Sequence, residues 1–242
     1  MRGTWTIAAL LVLLPSFSEA QVARPAEPGW TSLGNGCAVW NPDASVDQSG
    51  NWTGGCKNGH AEGKGILTWQ SGGKQVDLFE GDMHDGKKNG HGTEIFADGG
   101  RYEGEWRDSD GNGQGIYVYP NGDRYNGDWL HSEKHGHGVF IWADGSRYEG
   151  DWRDDHENGL GVLTLANGDR YEGQFIDGMA SGHGVMKFAN GNWYEGQWRN
   201  EKPDGHGHAV IAGNTYDGVW KDGCFKDGKK HAALLVPDSA CQ

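Results

Sequence analysis

Proline and cysteine are scarce in this chain, and positive charge is in the minority. Among 242 residues there are 7 prolines and 4 cysteines, and 21 lysines and arginines against 34 aspartates and glutamates give a formal net charge of −13. The 43 glycines do not recur at every third position, which together with the few prolines excludes a collagen helix. Because the negative charge repels phosphate backbones and anionic membranes, nucleic acid is not an expected partner.

Long apolar runs are missing as well. The unbroken run from Ile7 to Leu14 is too short to span about 30 Å of hydrocarbon. It follows Arg2 and precedes Ser18 and Ala20, the small residues that a signal peptidase needs, so residues 1–20 are predicted to be a signal peptide. The sequence therefore predicts an exported protein, periplasmic or secreted, with no integral membrane segment after the leader is cleaved.

The four cysteines lie in two clusters at the chain ends, Cys37 with Cys56 and Cys224 with Cys241. An even count in an exported chain predicts two disulfides, although three pairings are formally possible. The two pairings within the clusters would each close a short loop and contribute about 3 kcal/mol. A four-thiolate metal site is the rejected alternative, because neither cluster has a C-x₂₋₄-C spacing.

An aromatic motif recurs along the chain with a fixed period. The segment Tyr102-Glu-Gly-Glu-Trp106 has counterparts every 23 residues, at Tyr125, Tyr148, Tyr171 and Tyr194, and a Gly-x-Gly marker keeps the same period. A fixed period over about 170 residues predicts one array of stacked units. We expect this array over residues 51–228, in about seven to eight units, between an N-terminal linker and cap (21–50) and a C-terminal cap (229–242).

Each unit is predicted to contain two short strands. Tyr102, Gly104 and Trp106 share one face because side chains alternate along a strand. A polar loop follows, then a second strand, and a tight Asn121-Gly122 turn closes the unit. Glycine between two aromatics leaves room for a neighbouring ring to lie over the backbone. The predicted fold is all-β, a single elongated antiparallel sheet of tandem 23-residue hairpins with disulfide-stapled ends.

This pattern resembles the MORN repeat family, whose unit looks like Y-E-G-x-W, a polar loop, G-x-G, a short strand and a D/N-G turn. Met83 and Phe175 depart from it by replacing the second aromatic, whereas the start around Cys37-Ala-Val-Trp40 looks like exported bacterial members. The resemblance implies hairpins side by side in a curved sheet with a groove on one face. It also implies a scaffold, linked in the family to protein partners and, less securely, to acidic phospholipids.

The repeated rings are the candidate partner-binding residues. Stacking between repeats is the alternative role for them, and both roles are compatible in one row. The acidic balance favours a basic or neutral protein or peptide as the partner, and a glycan or cell-wall polymer is the second hypothesis. Phospholipid binding and a weak hydrolase activity are less favoured. The predicted contacts are Tyr102, Trp106, Tyr125, Trp129, Tyr148, Trp152, Tyr171, Tyr194 and Trp198.

Catalytic and metal motifs are not found in the sequence. It has no G-x-S-x-G, H-E-x-x-H or G-x-x-x-x-G-K-[ST] segment, so we predict no enzyme, no catalytic residue and no cofactor. Histidines inside successive G-x-G markers, such as His183 and His206, should lie about 10 Å apart, too far to share a zinc ion. The calcium-like segment from Asp108 places Tyr119 where a bidentate glutamate is needed, so no metal site is predicted.

Overall fold

The computed structural model describes residues 29–41 and 48–241. The chain separates into two compact units, an N-terminal unit (described residues 29–41, 48–143 and 153–155) and a C-terminal unit (144–152 and 156–241). The predicted signal peptide lies outside the described residues, as do residues 21–28 and 42–47 of the predicted N-terminal cap. No helix within the described ranges is long and apolar enough to cross a bilayer.

The N-terminal unit is built from β-strands. They are β1 (Gly29–Ser32), β2 (Ala38–Asn41), β3 (Gln48–Trp52), β4 (Gly55–Lys57), β5 (His60–Ser71), β6 (Lys74–His84), β7 (Lys87–Ile95), β8 (Arg101–Arg107), β9 (Asp110–Val118), β10 (Arg124–Leu130) and β11 (Glu133–Ile141). From β5 to β11 each strand pairs antiparallel with the next. A parallel contact joins β2 to β5 through Ala38 and His60, which makes the sheet mixed.

The C-terminal unit continues the same strand pattern. Its strands are β12 (Arg147–Arg153), β13 (His156–Thr164), β14 (Arg170–Ile176), β15 (Met179–Lys187), β16 (Trp193–Arg199), β17 (Lys202–Ile211), β18 (Asn214–Lys221), β19 (Cys224–Asp227) and β20 (Lys230–Ala233), followed by a 3₁₀ helix (Asp238–Cys241). From β13 to β20, successive strands pair antiparallel. The predicted all-β fold of tandem hairpins is confirmed.

The turn after each Tyr-x-Gly-x-Trp strand is shorter than the polar loop expected from the sequence. Between β8 and β9 it consists of two residues, Asp108 and Ser109, with φ of 51° and 73°. Positive φ at both positions is the signature of a type I′ turn, whose twist matches that of paired strands. The Ser109 N–H also donates to the Lys88 carbonyl at 2.9 Å, so the turn is tied to the preceding strand pair.

A β-bulge recurs in the middle of the repeat strands β8, β10, β14 and β16. In β10 the register shifts between Gly127 and Asp128. The Asp128 carboxylate accepts the His137 N–H at 2.7 Å. In β16 the amide oxygen of Gln197 accepts the His206 N–H at 3.1 Å in the same way. The fourth motif position therefore holds an oxygen acceptor that satisfies the central N–H of the next G-x-G segment.

Two disulfides lie near the ends of the described chain. Cys37 is bonded to Cys56 with Cα atoms 5.6 Å apart, and Cys224 to Cys241 with Cα atoms 5.3 Å apart. Of the three pairings that the sequence allowed, the structure therefore has the one within each cluster. The predicted disulfides are confirmed.

Candidate functional site

The tyrosines and tryptophans interlock on one face of the sheet. The Tyr102 ring packs edge-on against Trp106 of its own repeat, with ring centroids 4.9 Å apart, and against Trp129 of the next repeat, with centroids 5.2 Å apart. In the C-terminal unit, Tyr171 contacts Phe175 and Trp198 in the same way, both at 5.1 Å. These rings thus form a zipper, in which Tyr102 and Tyr171 each join two neighbouring repeats through edge-to-face contacts.

Glycines allow these rings to lie flat on the backbone. A Cβ at Gly127 would come 2.6 Å from the Tyr125 hydroxyl oxygen and 2.5 Å from the Cα of Gly138. No side chain could occupy that space without displacing backbone or a buried ring. The Y-x-G glycine Gly127 and the second G-x-G glycine Gly138 are therefore required by the ring packing, as the sequence pattern predicted.

Tyrosine hydroxyls and tryptophan N–H groups of these rings donate hydrogen bonds to backbone carbonyls. The Tyr125 hydroxyl donates to the Asp128 carbonyl at 2.9 Å, and Trp129 Nε1 donates to the Gly115 carbonyl at 3.1 Å. Burial disfavours the tyrosinate form and raises the pKa of Tyr194 to about 12. These hydroxyls therefore stay protonated donors across the physiological range.

All nine predicted contact residues are buried. Their exposed fractions run from 0% to 5%. They form the packed interior of the aromatic face, which is the alternative role considered from the sequence, and direct contact between them and a partner stays a prediction. The nine are Tyr102, Trp106, Tyr125, Trp129, Tyr148, Trp152, Tyr171, Tyr194 and Trp198.

A second set of rings, not predicted from the sequence, lies on the same face and is only half-buried. We call Phe96, Tyr119 and Trp142 of the N-terminal unit the ring row. They are linked through the buried rings of Tyr117 and Phe140, by centroid distances of 5.7, 4.4, 5.7 and 4.8 Å from Phe96 to Trp142. The 23-residue spacing of these residues was the signal available in the sequence.

A cluster of charges lies at the Phe96 end of the ring row. The β6–β7 register pairs Leu78 with Ile95, which places Asp77 beside Phe96. The Lys88 ammonium pairs with the buried Glu94 carboxylate and lies 4.7 Å from the centre of the Trp106 ring. The Lys88 ammonium therefore lies close to two carboxyl groups, those of Glu94 and Asp77.

Burial shifts the pKa values in this cluster. It lowers the pKa of Lys88 to about 8, although the charge of Asp77 opposes the shift. It also raises the pKa of Asp77, and the charge of Asp98 acts in the same direction. The strand register places Asp77 beside Phe96, and Asp98 follows Phe96 by two residues, so both carboxyl groups lie at this end of the ring row.

An exposed tryptophan lies at the start of the described chain. Trp30 is 44% exposed, stacks on His60 at 4.3 Å and meets Trp40 edge-on at 5.1 Å. His60 Nδ1 contacts the Asp85 carboxylate, and this hydrogen bond lowers the pKa of Asp85. Aromatic and polar groups thus meet at one surface, which we call the Trp30 platform.

The opposite face of the sheet is charged and solvated. Arg101 pairs with Glu103 at 2.6 Å, and Arg170 pairs with Glu172 at 2.7 Å, through side chains roughly half exposed. Such pairs contribute little stability in water. Among residues 29–41 and 48–241, no group of three His, Cys, Asp or Glu side chains is arranged to hold a metal ion.

The repeated segments of this chain match a known protein family. The profile of the MORN repeat matches seven consecutive segments, residues 49–74, 79–101, 102–124, 125–147, 148–170, 171–193 and 194–211. The chain belongs to the MORN repeat family. In this MORN protein the matched segments carry the Tyr–Trp zipper, so the family pattern and the aromatic packing coincide. No curated protein matches the sequence as a relative.

Solved structures share only a distant likeness with this MORN protein. The TCP domain of SAS-4 (dCPAP) from Drosophila melanogaster, solved in complex with a proline rich motif of Ana2 (dSTIL), is 12% identical with a TM-score of 0.36, over 82% of this chain and 96% of that one. A mutant of the TCP10 domain of Danio rerio CPAP is 11% identical with a TM-score of 0.26, over 76% and 88%. A streptogramin B lyase is 10% identical with a TM-score of 0.19, over 83% and 85%.

Proposed function

We propose that this MORN protein is an exported, non-catalytic scaffold that binds a protein or peptide over its aromatic face. Residues 1–20 serve as the leader, residues 21–50 and 229–242 as caps, and residues 51–228 as the binding array. The observation that carries the proposal is the ring row. Phe96, Tyr119 and Trp142 keep part of their surface exposed on a rigid support, as aromatic residues at protein interfaces do.

The buried zipper gives the ring row its rigidity. Tyr117 and Phe140 lie between the three half-exposed rings and fix their positions. A partner therefore meets a surface that is already ordered, so less entropy is lost on binding. The nine predicted contact residues lie beneath that surface and act on a partner by holding the half-exposed rings in place.

The charge balance defines the partner chemistry. A formal charge of −13 attracts a basic partner and does not repel a neutral one. The carboxyl groups of Asp77 and Asp98 lie at the Phe96 end of the ring row, where a cationic side chain of the partner can pair with them. A basic or neutral polypeptide is therefore favoured over an acidic one.

Site-specific crosslinking tests this function. A photoreactive phenylalanine analogue at Tyr119 should crosslink a protein partner in an envelope extract. The same analogue at Ile141, which is 38% exposed and points to the opposite face, is the control. Equal products from both sites, or none from Tyr119, would contradict binding over the aromatic face.

Glycan binding is the second candidate function, and the Trp30 platform favours it. An exposed indole beside the carboxylate of Asp85 and the ring of His60 offers both a stacking surface and hydrogen-bond acceptors. Retardation in polysaccharide gels that disappears with Trp30→Ala and persists with Trp142→Ala would support it. Unretarded migration of the wild-type protein in every gel would contradict it.

A further inference from the structure

The three rings of the ring row occupy the same position in successive units, 23 residues apart. Each unit adds two strands, so the rings advance by about 9.6 Å at 4.8 Å per strand. Their line runs across the strands, on a sheet face where the backbone groups are already paired. A ligand strand cannot be added there by backbone hydrogen bonding, so side chains of the ligand must meet the rings.

Few polypeptide conformations repeat at this distance. A polyproline II helix has three residues per turn and a rise of 3.1 Å, which gives about 9.3 Å per turn with every third residue on one face. An α-helix returns to one face after seven residues, or about 10.5 Å. Over the two steps from Phe96 to Trp142, the mismatch is about 0.6 Å for polyproline II and about 2 Å for the α-helix.

The chemistry of the rings agrees with this spacing. Proline-rich segments are ordered before binding and dock on aromatic surfaces. Phe96, Tyr119 and Trp142 lie on a support of packed rings, so neither side loses much entropy. The formal charge of −13 favours a cationic side chain in the ligand, and the carboxyl groups of Asp77 and Asp98 beside Phe96 are the places where it can pair. A neutral glycan could form hydrogen bonds with these carboxyl groups but no ion pair.

We infer that the ring row binds a basic polyproline II segment of a partner protein, with proline at every third residue and an arginine or lysine next to the proline that covers Phe96. This inference rests on the proposed function and names its ligand class. Successive prolines pack on Phe96, Tyr119 and Trp142, and the cation lies near Asp98.

A set of labelled peptides tests the inference by fluorescence anisotropy on the full chain. The probe has three prolines at every third position, with alanine and serine between them and arginine at one end. A second peptide has the same composition with prolines two and four residues apart, and a third carries glutamate in place of arginine. We expect the second peptide to bind about tenfold more weakly than the probe. The third peptide should also bind more weakly than the probe, and this difference in affinity should become smaller as the salt concentration is raised.

Variants of the protein locate the peptide. Phe96→Ala, Tyr119→Ala and Trp142→Ala should each weaken binding about five- to tenfold. Ile95→Ala and Ile141→Ala are matched controls, since these neighbours are 43% and 38% exposed on the opposite face, and they should bind as the wild type does. If an alanine variant unfolds, Trp142→Leu replaces it, because Leu165 occupies that repeat position in the next unit.

The results of these experiments distinguish an error in the ligand class from an error in the proposed binding function. Equal affinity for the two proline spacings, or equal loss in ring and control variants, overturns the inference. If Tyr119 crosslinks a protein partner that none of the peptides displaces, the proposed function stands and the polyproline II ligand is wrong. Competition by an oligosaccharide or by a helical peptide, with no effect of the proline peptide, overturns the inference as well.

Discussion

The Tyr125 ring lies directly over Gly138, where a Cβ atom would come 2.6 Å from Tyr125 Cζ and closer still to the hydroxyl oxygen. Tyr125 has an exposed fraction of 0%, so its ring has no free space to move into. We expect Gly138→Ala to lower the free energy of unfolding by about 1–3 kcal/mol through overpacking. Chemical denaturation followed by circular dichroism measures the loss.

Gly34→Ala is the control for Gly138→Ala. A Cβ at Gly34 would meet no heavy atom within 4 Å, so this variant should unfold almost as the wild type does. Equal stability of both variants would show that the Tyr125 ring can move aside at little cost. The G-x-G glycines would then serve some other purpose than ring packing.

The bulge acceptor gives a second prediction. Asp128→Ala removes the acceptor of the His137 N–H and should cost about 1 kcal/mol. Asp128→Asn keeps an oxygen there and should cost much less, since Gln174 and Gln197 fill the role in other units. Hydrogen exchange at the His137 amide should quicken with alanine and not with asparagine. Similar exchange in both variants would mean that the side chain is not what protects this amide.

The sequence predicted the repeat, the strands, the glycine contacts and the disulfides because each leaves a local and repeated signal. Gly127 and Gly138 follow from the ring pattern alone. The exposed fraction of individual rings could not be predicted from the sequence. Tyr117 and Tyr119 are both tyrosines on one face, two residues apart, yet Tyr117 is buried and Tyr119 is half-buried because neighbouring repeats cover them differently. The charges around Lys88 were missed because Asp77 and Glu94 come near this ammonium only through strand pairing, which leaves no local signal in the sequence.

The disulfides should stabilise both ends of the chain. The bonded pairs are separated by 19 residues for Cys37–Cys56 and by 17 residues for Cys224–Cys241. The chain-entropy model gives about 3 kcal/mol for a loop of this size. Replacing the two cysteines of either pair by serine should therefore lower the midpoint of thermal unfolding, and dithiothreitol should reproduce the loss only in chains that retain a disulfide. If dithiothreitol left the unfolding midpoint of the wild-type protein unchanged, that result would contradict a stabilising role of the disulfides.

Alkaline pH should unfold the protein through its tyrosines. Burial raises the pKa of Tyr117 and Tyr194 to about 12, against about 10 in an unfolded chain. The folded state keeps these protons while the unfolded state releases them, so stability is intact below pH 10 and falls as pH rises from about 10 towards 12. Tyrosinate absorbance should therefore rise together with the loss of circular dichroism. A tyrosinate signal well before unfolding would contradict the burial, and Tyr194→Phe should flatten the pH dependence.

Phe175 departs from the repeat, and restoring the repeat residue should stabilise the C-terminal unit. At the equivalent position Trp198 Nε1 donates to the Gly184 carbonyl, 14 residues earlier, at 3.0 Å. Phe175 contacts Tyr171 at 5.1 Å, close to the 5.2 Å between Trp198 and Tyr194, so the surroundings fit an indole. Phe175→Trp should add a hydrogen bond to the carbonyl of Gly161, worth about 1 kcal/mol, and raise the unfolding midpoint by about 2–4 °C. A lower midpoint would mean that the site is packed too tightly for the larger ring, and Phe175→Leu, which removes the aromatic contacts, should lower it in either case.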